Sequence, residues 1–118
     1  MKESIIGEKS FQFAVRIVRL YKHISESKRE FILTKQLLRS GTSIGANVQE
    51  GLQGVSPKDF QYKLSISLKE AEETMFWLRL LKETDYLIET EFNSISVDCH
   101  ELIKILTAIL KTSRSNHP

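Results

Sequence analysis

Apolar residues recur every three or four positions along almost the whole chain, the period of a helix face. Over residues 8–25, Phe11, Ala14, Val15, Val18 and Tyr21 share one face, and Phe13, Ile17, Leu20 and Ile24 form a second. A polar strip of Lys9, Gln12, Arg16, Arg19 and His23 runs between them. A one-sided surface helix needs only one apolar stripe, so two stripes call for cover on two sides. Ser25-Glu26-Ser27-Lys28 reads as a short turn. A second helix is then predicted over residues 28–54, with Thr34, Leu37, Gly41, Ile44, Gly45, Val48 and Leu52 together on one face.

Ser56-Pro57-Lys58-Asp59 is a strong helix start. Ser56 suits the N-cap, Pro57 the first helical position, and Asp59 the positive end of the helix dipole. The third helix is predicted over residues 57–83, with Phe60, Leu64, Ser67, Leu68, Ala71, Met75 and Leu78 as its core stripe. Thr84-Asp85-Tyr86 marks the last turn. A fourth helix follows over residues 88–113, where Phe92, Ile95, Cys99, Leu102, Leu106 and Ile109 take bundle-type steps. Residues 114–118 are expected to fray. Four helices joined by short turns must run antiparallel to their neighbours, so the predicted fold is all-α, a single antiparallel up-down-up-down four-helix bundle spanning residues 1–118.

Composition agrees with a folded chain. Of 118 residues, 41% are hydrophobic and 27% charged, far from the profile of disorder. One cysteine, Cys99, leaves no partner for a disulfide or a CxxC site, and its apolar neighbours suit a buried thiol in a reducing cytoplasm. No apolar run approaches the ~20 residues that span a bilayer, and the first residues lack the apolar stretch of a signal peptide. The formal net charge is only +2, with most of the basic excess in the first half.

Candidate chemistry is sparse. The glycine-rich run from Ser40 to Gly51 has neither the spacing nor the preceding strand of a phosphate-cradling loop. Each glycine inside a helix costs about 1 kcal/mol relative to alanine, so these glycines are read as points of close helix approach. His23, His100 and His117 fall in different elements, and no metal-binding or paired-carboxylate motif appears. The chain is therefore read as a non-enzyme with no cofactor, no metal and no small-molecule substrate.

Two surface features suggest partners. Tyr62, Ile66, Phe76, Trp77 and Leu80 form a second apolar stripe on the third helix, more than one bundle needs. Arg39, Ser43, Asn47 and Glu50 form a line on the second helix that is expected to point away from the packing glycines. Tyr62, Ile66, Phe76, Trp77, Leu80, Ser43 and Asn47 are thus the candidate homo-oligomer interface. Arg16, Arg19, Lys22 and Arg39 are the candidate phosphate contacts, since copies of a modest basic strip would pool their field in an oligomer. An adaptor that binds protein and no nucleic acid is the alternative.

The runs Arg39–Gly51, Ser56–Phe60, Leu64–Ala71 and Glu73–Leu78 resemble the four-helix bundle family, also called 23S rRNA intervening-sequence proteins. The resemblance covers nearly the whole chain, and it is most specific from Arg39 to about Leu81. It implies a small bacterial protein that assembles into rings, typically pentamers. The family is also similar to the accessory protein of diversity-generating retroelements, a basic pentameric barrel associated with nucleic acid and a reverse transcriptase. RNA or a nucleoprotein is the partner this implies, although the present chain departs from a basic member in carrying only +2.

Overall fold

A computed structural model describes the backbone of residues 2–118 and the side chains of residues 5–118; Met1, the first residue of the predicted domain, lies outside the described residues. Four helices account for nearly all of it: α1 (Lys2–Lys28), α2 (Leu33–Leu52), α3 (Pro57–Glu83) and α4 (Glu89–Asn116). Among the described residues there is no strand, and no helix is long and apolar enough to cross a membrane.

Residues 25–28, expected as a turn, are helical. The two serines cause no break because their hydroxyls donate back to helix carbonyls, Ser25 to Lys22 and Ser27 to His23. The chain turns instead at Arg29, whose φ of 56° is left-handed, and α2 starts at Leu33 rather than near Lys28. At the far end the helix persists through Asn116, beyond the predicted limit. The Ser56 start is as read: its hydroxyl accepts the Asp59 N–H at 3.1 Å, with Pro57 in the first turn.

Contacts run in opposite directions along each neighbouring pair, so neighbours are antiparallel. Gly41 meets Ile17 and Gly45 meets Ser10 between α1 and α2. Ser67 donates to the Ile44 carbonyl at 2.8 Å, and the Thr74 hydroxyl bonds that of Ser40 at 2.9 Å, between α2 and α3. The Cys99 thiol donates to the Ala71 carbonyl, and Gln61 donates to Ser113, between α3 and α4. The helices close a ring of four neighbours in chain order, and α1 and α4 touch least.

The glycines do what their cost implies. A Cβ on Gly41 would stand 2.7 Å from Ile17, and one on Gly51 2.5 Å from Leu64, so α2 lies close to both α1 and α3 only because these positions lack one. Phe13, Ile17 and Ile24 of α1 enter the core with Leu37, Ile44, Val48, Leu64, Ala71, Leu78, Ile95, Cys99, Leu102 and Leu106. Phe92, Leu68 and Met75, expected in the core stripes, are only half-buried against it.

Candidate interaction surfaces

The α2 line expected to point away from the glycines lies along the seam with α3. Arg39 reaches Glu70 at 3.1 Å and also pairs with Glu73, while Glu50 meets Lys63 at 2.8 Å. Ser43 and Asn47 are half-buried, their side chains donating to the Arg39 and Ser43 carbonyls of their own helix. The reason is register: Ser40 and Ile44, each one residue after a member of the line, already contact α3. Arg39 is thus a strap between two helices. Its hydrogen bond to Glu73 raises its pKa further above the ordinary arginine range, against the opposing effect of burial. Glu73 is held below the usual carboxylate range, first by the Trp77 indole N–H at 2.9 Å and, against burial, by Arg39.

Beyond this strap, the second stripe of α3 faces out. Tyr62 is 64% and Phe76 55% exposed. Ile66, Trp77 and Leu80 are half-buried, and Trp77 packs edge-on against the Phe76 ring, centroids 5.0 Å apart. The two apolar stripes of α1 divide likewise. Phe13, Ile17 and Ile24 go inward, while Phe11 is 60% exposed and Ala14, Val15, Val18 and Tyr21 are half-buried. Helices α1 and α3 stand diagonally in the bundle, so these outward stripes look in different directions.

The basic strip of α1 meets a carboxylate row on α4. Lys9 pairs with Glu101 at 3.1 Å, Arg16 with Asp98 at 2.6 Å, and His23 with Glu91 at 3.7 Å. Arg16 also donates to the Ser94 hydroxyl at 2.9 Å. Arg19 and Lys22 are exposed and make no ion pair among the described residues. Of the four candidate phosphate contacts, Arg16 and Arg39 are therefore committed within the chain, on two different seams. The α4 carboxylates were missed in the sequence, yet their signal was there. Lys9, Arg16 and His23 are spaced by seven, and Glu91 and Asp98 repeat the same interval on the antiparallel partner.

Among the described residues no group of three His, Cys, Asp or Glu is placed to hold a metal. Cys99 is buried, which pushes its thiol up to about 12. The grooves are open and shallow, such as one of about 470 Å3 bounded by Arg16, Arg19, His23 and Glu91.

The sequence model of a family described as 23S rRNA-intervening sequence protein matches residues 2–108. The fold is similar to a crystal structure from Bacteroides thetaiotaomicron, described as a protein with unknown function from the S23 ribosomal protein family. The two are 50% identical with a TM-score of 0.92, over 94% of this chain and 99% of that one. No curated protein matches significantly.

Proposed function

The chain belongs to the 23S rRNA-intervening sequence protein family, and from that premise we propose a non-enzymatic scaffold whose copies join side by side. The observation that carries this reading is the outward stripe of α3. Tyr62 and Phe76 leave more than half of their surface exposed among the described residues, and aromatic side chains are enriched in interface centres. A second outward apolar stripe, around Phe11 on the diagonal helix, supports a heterologous contact in which one copy's α1 side meets the next copy's α3 side. Repeated contacts of that kind close into rings, in keeping with the pentamers implied by the family resemblance.

RNA or a nucleoprotein is the partner proposed for this assembly, met through Arg19 and Lys22. Both are exposed and unpaired among the described residues, and a ring would repeat them around one surface. The adaptor reading is favoured by a different observation, the internal pairing of Lys9, Arg16 and Arg39.

Light scattering tests the assembly. The wild type is expected above monomer mass at micromolar concentration, and Tyr62→Ala with Phe76→Ala is expected to lower that mass without loss of helicity. A wild-type monomer contradicts the reading. Titration with structured RNA at several salt concentrations separates the partners: binding that weakens steeply with salt and with Arg19→Ala supports RNA, and salt-independent or absent binding supports the adaptor.

A further inference from the structure

The end of the bundle bearing the α1–α2 and α3–α4 turns departs from a rule that the opposite end keeps. At the opposite end α3 starts on Ser56, a serine that caps it. Here α4 starts on Ile88, in extended backbone at the N-cap position, and Ile32 precedes the first residue of α2. Isoleucine has no side-chain acceptor and is among the poorest residues for starting a helix. At α2 the acceptor comes from a nearby carboxylate instead, and at α4 a carboxylate binds only the N-cap residue's own N–H. Glu30 takes the N–H groups of Ile32, Leu33 and Thr34, and Glu91 takes that of Ile88 at 3.4 Å. The starting positions are left to apolar side chains that project into water. Ile32 is 77% exposed, Ile88 62%, and Phe31, beneath the Arg29 guanidinium, 42%. Packing within the chain does not explain them, and local departures of this kind concentrate at functional sites.

Charge at this end is divided between the two turns. Residues 26–35 carry three basic side chains against two acidic, one of which is the capping Glu30. Residues 82–91 carry four acidic side chains against one basic, Lys82, which lies over the Phe92 ring. A two-fold axis lying in the end plane sets the basic turn of one copy over the acidic turn of another, and brings Ile32 towards Ile88.

We propose that this end is a contact surface for the same end of a second copy, formed by Phe31, Ile32 and Ile88 and oriented by the opposed turn charges. The bundle is only 20 by 20 Å across, well under the ~800 Å2 per partner of a stable interface, so a single pair of ends holds weakly. The inference therefore rests on the side-by-side assembly proposed above. Lateral rings present several ends in one plane, and multivalency makes the weak contact lasting, stacking two rings face to face.

The test compares solution masses of the full chain and of Ile32→Ser with Ile88→Ser, alongside their helicity. The wild type is expected at twice the mass of the double variant, whose helicity is unchanged, since Glu30 still caps α2 and a serine at the extended N-cap position of α4 adds an acceptor there. Oxidation of an equimolar mixture of Ile32→Cys and Ile88→Cys chains is expected to give a cross-linked dimer, with Cys99 silent in its buried site. An unchanged mass, a halved mass accompanied by loss of helicity, or no cross-link overturns the inference. A wild type that is a single ring overturns it alone and leaves the lateral assembly standing. A wild-type monomer overturns both.

Discussion

The guanidinium of Arg16 on α1 sits 2.6 Å from the carboxylate of Asp98 on α4, with the Ser94 hydroxyl at its other nitrogen. A residue that the helix pattern marks as a phosphate contact is thereby a cross-brace of the least tightly packed seam. Both partners are part-exposed, so the pair contributes about 0.2–1 kcal/mol. Arg16→Ala is expected to lower stability by that amount in urea melts, with the difference reduced by salt. Arg19→Ala, on the same helix with no pair to lose, is expected to stay within about 0.5 kcal/mol of wild type. Equal losses from both would contradict the assignment.

Gly41 and Gly7 should respond oppositely to alanine. At Gly41 the new methyl would stand 2.7, 2.8 and 2.9 Å from three side-chain carbons of Ile17. Overpacking of this kind costs about 1–3 kcal/mol, more than the helix propensity gained. At Gly7 the nearest atom is a terminal methyl of Leu52 at 3.3 Å, which can turn aside. Gly7→Ala is therefore expected to be neutral or stabilising by up to about 1 kcal/mol. Thermal melts of the two variants decide it, and a stable Gly41→Ala would mean that α1 and α2 are not in close contact there.

Glu30 ties the start of α2 to pH. Burial pushes its carboxyl up, but the N–H groups of Thr34, Leu33 and Ile32, with the Thr34 side chain, outweigh it and hold the pKa below the ordinary value. A depressed folded pKa means that the stabilisation is complete above the ordinary carboxylate range and is lost as pH falls through the folded value. Glu30→Ala is expected to cost about 1 kcal/mol at neutral pH, as loss of a cap does. The gap to wild type should narrow below about pH 4. A gap of constant size across that range would rule out the capping role.

Cys99 offers a probe of opening. Its thiol is buried, bonded to the Ala71 carbonyl and pushed up to about 12. At about pH 8 the native protein is expected to resist thiol reagents, with labelling governed by unfolding. Rapid labelling of the folded chain would contradict the burial of Cys99 between α3 and α4.

The helices, the Ser56 start and the packing role of the glycines were legible because each is a local signal: period, cap chemistry, a missing Cβ. Ser25 and Ser27 misled because serine is read as a breaker, whereas both hydroxyls fold back onto their own helix. Phe11 and Phe13 have equal claims to the core by residue type, and only the placement of the other helices decides that Phe13 goes in and Phe11 out. The ion pairs of Lys9, Arg16 and His23 were not legible from α1, because their counter-charges lie on α4, far later in the chain. Pairings of that range depend on which helices become neighbours. No single-helix pattern contains them.

The unequal seams also give the chain an order of events. The strap from Arg39 to Glu70 and Glu73 joins residues 31 and 34 positions apart, whereas Arg16 finds Ser94 and Asp98 at separations of 78 and 82. Loop closure over the longer span costs more entropy, and sparser contacts reward it. The central hairpin of α2 and α3 is thus the natural nucleus, and the joining of α1 to α4 the last step of folding and the first to reverse. Amide protons along that outer edge should exchange through partial openings long before those of the hairpin do.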